Sequence, residues 1–389
     1  MSKRNFILFI IILTIIIAIV FGILYLYQPA GKTGTVADSV NFIANFLPFG
    51  KNKTPTNNTN SNNTPADISG LDSDTINNPG SILKKVSSFP VAGYIVFNKE
   101  RIITDTITET TTKSPQKIPT EFALNLRYVN KITGNIYQTF AGILSKEYLG
   151  ADSVGTSAIT GAFLPENITD ISISPDTTKD FYLFNTGDNT AGISFSPQTS
   201  TKVQVFDSPF TGWLSFWPNK NMITITTKPS YNTFGYMYAI DPDKKDLTKI
   251  LGDINGLNTL TSPDGTKVLY SDNNLSLNVF DVGKKNTSLL GVKTLPEKCV
   301  WASTSDAIYC AVPKFIDRGG YPDSWYQGEV SFSDQIWKID IQNGNTSMVS
   351  NLTSLGGDID AIKLSLDENQ NYLFFLNKKD SYLWELKLK

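Results

Sequence analysis

Hydrophobic positions fall along this chain in distinct patterns, and the first is the plainest. Residues 6–27 form an unbroken apolar run, FILFIIILTIIIAIVFGILYLY, without a charged side chain. At ~1.5 Å per residue the run measures about 33 Å, enough to cross a hydrocarbon core. It predicts one transmembrane helix over residues 6–28. Lys3 and Arg4 precede the run and the next basic residue is Lys32. That asymmetry predicts residues 1–5 in the cytoplasm and the remainder outside it, a single-pass protein of the cell membrane. A cleaved signal peptide is the alternative, but its apolar core is usually about 7–15 residues and ends at a small-x-small site. Here the run ends in Tyr25, Leu26, Tyr27, Gln28 and Pro29.

The period then changes twice. In residues 29–49, Val36, Val40, Ile43 and Leu47 share one helical stripe with Phe42 and Phe46 beside it, an amphipathic juxtamembrane segment. Three fates stay open for it: lying on the bilayer, self-association, or packing on the domain. Residues 50–82 are rich in Asn, Thr, Ser and Pro and nearly free of large apolar side chains. Such a composition predicts a disordered linker.

Over residues 83–389 the pattern becomes short β-branched and aromatic runs parted by Gly, Pro, Asn and Asp clusters, so the domain is expected to be all-β. Two markers recur. An apolar strand followed by a tight polar turn appears at Pro175, Pro218, Pro263, Thr304 and Leu366, about 43, 45, 41 and 62 residues apart. A strand ending in a polar turn appears at Asn130, Ser196, Asp241, Asp281 and Asp340, about 66, 45, 40 and 59 residues apart. Both series lengthen between residues 304 and 340, where one insertion explains both gaps. A four-stranded unit of about 40–45 residues is a propeller blade, so a β-propeller is predicted, with six blades and seven as the alternative. Paired β-sandwiches are the competing architecture. The last repeat supplies only three strands, and a segment within residues 81–97 is expected to provide the fourth and close the ring.

The turn Ser262-Pro263-Asp264-Gly265-Thr266-Lys267 resembles the WD-like repeats of TolB-type propellers. Three further passages, LRYVNKITGNIYQT (126–139), KCVWASTSDAIYCAVP (298–313) and YPDSWYQGEVSFSDQIWKID (321–340), resemble a group of membrane-anchored propeller proteins in small-genome candidate-phyla bacteria. That resemblance implies an anchored extracytoplasmic domain and names no ligand.

Composition narrows the chemistry. A net charge of −2 with no basic block after the anchor lacks the electrostatic footprint of a nucleic-acid binder. The chain has no His, which removes His-dependent triads, His bases and His-ligated zinc. No metal or cofactor is expected. Its two cysteines, Cys299 and Cys310, face each other if the chain folds back about Thr304 and Ser305, and a disulfide is expected between them.

Motif chemistry is thin. The stretch from Ser262 fails the sialidase Asp-box, with Gly265 one place early and Leu269 where the aromatic belongs. Asp176 and Asp264 read as turn stabilisers. The oxygen-rich stretch from Asp241 to Asp246 lacks the register of an EF-hand and carries two lysines, so a solvated hairpin turn is expected. The insertion differs, because between Lys314 and Glu329 it concentrates Asp317, Arg318, Tyr321, Asp323, Trp325 and Tyr326, types that dominate interface hot spots. Two roles stay open for it, a binding surface or a seal over its own blade. As a binding surface, Arg318, Tyr321, Trp325 and Tyr326 should be partly exposed along a groove. The connections at 110–121 and 228–234 are expected at the same end of the propeller. The functional expectation is a non-enzymatic binding or scaffolding module of the cell envelope, with an envelope protein or glycan as partner. The alternative is a hydrolase of glycan or peptide using carboxylates in the central channel.

Overall fold

The computed structural model describes residues 82–102, 120–140, 147–149 and 167–389. Their strands make six antiparallel four-stranded sheets. A short strand, β1 (Leu83–Lys85), comes before the first complete sheet. Blade 1 is β2 (Val91–Ile102), β3 (Thr120–Asn130), β4 (Ile136–Phe140) and β5 (Glu147–Leu149). Blade 2 is β6 (Ile168–Ile173), β7 (Asp180–Thr186), β8 (Asn189–Ser196) and β9 (Thr201–Ser208). Blade 3 is β10 (Trp213–Asn219), β11 (Met222–Thr227), β12 (Phe234–Ile240) and β13 (Leu247–Asn255). Blade 4 is β14 (Asn258–Thr261), β15 (Lys267–Ser271), β16 (Ser276–Asp281) and β17 (Asn286–Lys293). Blade 5 is β18 (Cys299–Trp301), β19 (Ala307–Pro313), β20 (Asp334–Asp340) and β21 (Thr346–Asn351). Blade 6 is β22 (Ala361–Leu366), β23 (Tyr372–Asn377) and β24 (Leu383–Lys387), with β1 as its outermost strand. The protein is a six-bladed β-propeller.

First strands of neighbouring blades lie against one another, β6 with β10, β10 with β14 and β18 with β22, so they form the inner wall. Burial follows from that position. Second strands are covered on both faces by neighbouring blades, and those of blades 5 and 6 read as nearly continuous apolar runs, AIYCAVP and YLFFLN; every residue of β19 is buried. The outermost strands of blades 4 and 5 have one free edge and are largely exposed, β17 and β21. Blades are stitched by hydrogen bonds: Ser215 Oγ to Asp170 Oδ2 at 2.8 Å, Trp301 Nε1 to Leu260 O at 3.2 Å, and Tyr94 OH to Phe374 O at 2.9 Å.

The marker turns join first to second strands. In one, Ser262 Oγ donates to Asp264 Oδ1 at 2.5 Å, and the Thr266 amide donates to the same oxygen at 3.0 Å. Ser174, Asp176 and Thr178 repeat the arrangement in blade 2. Short polar side chains hold the chain where it must turn through a left-handed residue, Gly265 at φ 74° and Thr177 at φ 58°. The turn at Asp241 is a solvated hairpin turn, with the amides of Asp243 and Lys244 both donating to Asp241 Oδ1 at 3.0 Å.

One member of the second series is misplaced. Ser196, Asp241, Asp281 and Asp340 end third strands, but Asn130 ends β3, the second strand of blade 1. Asn135 and Asn130 close a polar turn there too, which is why the sequence patterns look alike.

Alternating strand direction sorts the connections by end. First–second and third–fourth turns lie at what we term the lower end; second–third connections and blade-to-blade links lie at the upper end. Residues 103–119, which include most of the 110–121 connection, lie outside the described residues. They join the first and second strands of blade 1, since Ile102 pairs with Thr120. The expected transmembrane helix at 6–28, the segment at 29–49 and the linker at 50–82, apart from Ile82, also lie outside the described residues. Among the described residues no helix is long and apolar enough to cross a membrane.

The ring closes as the incomplete last repeat predicts. β1 pairs antiparallel with β24, Leu83 opposite Leu386 and Lys85 opposite Trp384, and Leu83 is buried. Cys299 and Cys310 face each other across β18 and β19 with Cα atoms 4.0 Å apart and are joined by a disulfide.

Candidate functional site

The insertion, residues 314–333, leaves β19 and returns as β20, so it connects second and third strands and emerges at the upper end. Its centre is a single helical turn, α1 (Asp323–Tyr326). Around it Tyr321 stacks on Phe332 with ring centroids 5.8 Å apart, and Trp325 lies 6.2 Å from Phe332 and 5.5 Å from Tyr326. These rings join Leu275, Leu295, Ile362 and Phe374 in one apolar cluster.

Polar contacts carry the insertion across the mouth of the channel. Ser230 Oγ and the Tyr231 amide, in the second–third connection of blade 3, each donate to Asp323 Oδ2 at 3.0 Å. Asn258, the first residue of β14, donates to Tyr326 OH at 2.9 Å, and Tyr326 OH donates to Glu297 just ahead of β18. Trp325 Nε1 donates to Asp360 Oδ2 at 2.8 Å, and Lys378 Nζ donates to Trp325 O at 2.8 Å. Gly320 lies close to the same connection, where a Cβ would sit 3.2 Å from the Tyr231 ring. One segment of blade 5 is thus bonded to blades 3, 4 and 6 at their upper end.

The expected exposure of Tyr321, Trp325 and Tyr326 is overturned. Trp325 is fully buried, and Tyr321 and Tyr326 are buried beside it. Their large apolar area is removed from water by the blades below, so the sealing role prevails for these three rings. Asp323 is half-buried in its bonds to blade 3, whereas Asp317 and Arg318 are exposed. Tyr321 OH donates to Asp317 O at 2.8 Å, which fixes the loop bearing those two charges. The connection at 228–234 does lie at this end, as its bonds to Asp323 require.

Other aromatics, which sequence reasoning missed, are the exposed ones. Phe315 in the insertion is 74% exposed with Ile316 next to it; Phe210 in the link from β9 to β10 is 68% exposed; Phe234 at the start of β12 is 55% exposed. Strand order puts all three at the upper end. The only signal available to the sequence was their placement in second–third or blade-to-blade connections.

Beneath the insertion lies a buried charge cluster that no motif announces. Lys298 Nζ donates to Asp334 Oδ2 at 2.8 Å, to Asp360 Oδ1, and to Ala361 O at 3.0 Å, and all three charged side chains are fully buried. Asp360 Oδ2 also accepts from Trp325, Ser331 and the Phe332 amide. Burial alone raises the Asp360 carboxyl, but the Lys298 charge and these bonds outweigh it and hold it below the ordinary value. Asp334 is the reverse case: burial dominates and pushes it up to about 6, and its Oδ1 has no hydrogen-bond partner among the described residues. Glu297 is also raised by burial, against bonds from Tyr326 and Asn258. Burial lowers Lys298 less than Asp334 and Asp360 raise it, so it stays cationic. The cluster is therefore an ion-paired lock between the inner ends of blades 5 and 6, with the insertion as its cover.

No family model matches the chain, and no curated protein matches it. Solved structures with a similar course of the chain include three of low identity. TolB from Acinetobacter baumannii is 11% identical, with 76% of this chain and 79% of that one covered at a TM-score of 0.39. An oligogalacturonate lyase from Vibrio parahaemolyticus is 7% identical, with 68% and 75% covered at a TM-score of 0.44. Hydrazine synthase from Kuenenia stuttgartiensis is 13% identical, with 68% and 73% covered at a TM-score of 0.43. None of these bears on the narrower resemblance to anchored candidate-phyla propellers. The six-bladed ring rests on this chain's own strand order and register.

Proposed function

We propose that the protein is a binding or scaffolding module, held at the cell membrane by residues 6–28 with its propeller outside the cytoplasm, and that its partner docks on the upper end. The partner class is an envelope protein. The observation that carries this reading is the contrast at that end: Phe210, Phe234 and Phe315 stand in solvent, as do Arg318 and Asp317, while Asp334 and Asp360 are covered. Exposed aromatic and Arg side chains on loops held by a rigid scaffold are the ordinary material of interface hot spots. The anchor and the orientation rest on the apolar run and its flanking basic residues.

A second reading, a glycan or peptide hydrolase, draws on the convergence of Glu297, Asp334 and Asp360. Asp334, raised to about 6, has the acidity of a general acid. Against it, Asp334 and Asp360 share one lysine and are fully buried below Trp325, so they pair with the protein rather than face solvent. The test is crosslinked recovery of the tagged full chain from its own membrane, as wild type and as Phe234→Ala with Phe315→Ala. Loss of a recovered protein with unchanged melting supports docking at this end; an unchanged set of partners contradicts it.

A further inference from the structure

At the lower end, far along the chain from the insertion, a solvent-open cleft of about 360 Å³ separates the outer hairpin of blade 2 from that of blade 3. Its volume lies in the range of about 300–1,000 Å³ of small-ligand sites. Blade 2 contributes Ser194 and Ser196 from β8 and Thr201 and Val203 from β9. Register places Ser194 opposite Val203 and Ser196 opposite Thr201, so these four side chains form one patch on one face of the hairpin. Thr199, in the turn between those strands, extends the patch. Blade 3 contributes Pro242, Asp243 and Lys245 from the turn after β12, and Lys179 comes from the marker turn of blade 2.

The hydrogen-bonding capacity here is unspent. Among the described residues, the hydroxyls of Ser194, Ser196, Thr199 and Thr201 and the ammonium groups of Lys179 and Lys245 have no partner. The neighbouring Lys244 is different, because its Nζ is paired with Asp241 at 2.8 Å. Lys245, held at φ 63° by its amide bond to Asp241 O at 2.7 Å, is the lysine of that turn which remains free. Two ammonium groups against the single carboxylate of Asp243 leave the cleft with net positive charge. Four hydroxyls favour a ligand rich in donors and acceptors. Among the described residues no aromatic ring lines the cleft, so a neutral sugar would lack the stacking surface on which its recognition usually depends.

We propose that this cleft binds a short acidic saccharide, its carboxylate between Lys179 and Lys245 and its hydroxyls on the Ser and Thr patch. The site is separate from the upper-end surface and does not depend on the docking reading. Isothermal titration of the full chain with a glucuronate-containing disaccharide tests it, with maltose and inorganic phosphate as comparison probes. The expected result is saturable, salt-sensitive binding of the acidic disaccharide and none of maltose. Binding should weaken about tenfold or more in Lys179→Gln with Lys245→Gln, the loss of charge-assisted hydrogen bonds. Lys220→Gln, outside the cleft, should leave it unchanged, and melting of all variants should match wild type. Equal binding of maltose, binding of phosphate as tight as that of the disaccharide, no saturable binding, or an unaffected double variant would each overturn the proposal.

Discussion

The indole N–H of Trp325 donates to Asp360 Oδ2 at 2.8 Å, tying the insertion of blade 5 to the residue that leads into the first strand of blade 6. This bond joins the covering segment to the lock it covers, and it makes Trp325 a structural residue. Trp325→Ala should destabilise the domain by about 3–5 kcal/mol through lost burial. Trp325→Phe, which keeps a ring but removes the donor, should cost about 1–3 kcal/mol. Denaturant unfolding checks both, and midpoints unchanged from wild type would place Trp325 outside the core.

Lys298 neutralises two fully buried carboxylates at once. Its replacement by Met strands both, and breaking a buried ion pair from one side costs about 3–5 kcal/mol. Unfolding in denaturant should show Lys298→Met among the most damaging single changes in the propeller, well beyond the exposed Lys284→Met.

Acid has opposing effects on the carboxylates. Asp170, bonded to Ser215 and raised by burial to about 6 from an ordinary 3.8, binds its proton more readily folded than unfolded. Its contribution is therefore present at low pH and lost as pH rises through about 4 to 6; Asp334 behaves likewise. Asp360, held below its ordinary value, contributes above that value and loses its contribution as pH falls through the lowered one. Asp170→Asn should flatten the part of the melting profile between pH 4 and 6 that declines with rising pH. Identical profiles for wild type and variant would contradict the assignment.

How much of this was legible in the sequence depends on whether a feature is local. The blade period was readable because Ser174, Asp176 and Thr178 stabilise a turn with neighbours, and Ser262, Asp264 and Thr266 repeat it. The disulfide was readable because Cys299 and Cys310 flank one hairpin. The lock was not, since Lys298, Asp334 and Asp360 come from three places in the chain and only the ring brings them together. Nor was the burial of Trp325 and Tyr326. Aromatic residues suited to an interface are equally suited to a core, and the choice was made by Asn258, Glu297 and Asp360 waiting at the channel mouth. Asn130 misled for a related reason, since a polar turn after a strand does not tell which strand of the blade it ends.

Ring closure by β1 gives a deletion prediction. Removing residues through 88 takes away the buried Leu83 and leaves β24 with an unpaired edge. Removing residues through 79 leaves that pairing whole. The first deletion should lower the melting temperature markedly and broaden the transition, and the second should not. Equal melting of the two would show that β1 does not hold the ring.

Cys299 and Cys310 are buried in the hairpin of blade 5, and their disulfide closes a short loop. Its replacement by Ala at both positions should cost at most about 3 kcal/mol. Thiol labelling of the unfolded, unreduced chain should find no free cysteine; two free thiols would contradict the pairing.

The most direct test of the docking account is site-specific photo-crosslinking of the full chain in its native envelope. A crosslinker replaces Phe315 at the upper end in one variant and Leu247, exposed at the lower end, in another. The account predicts a discrete protein adduct from position 315 and none from position 247. An adduct from 247 alone, or no protein adduct from 315, would contradict it.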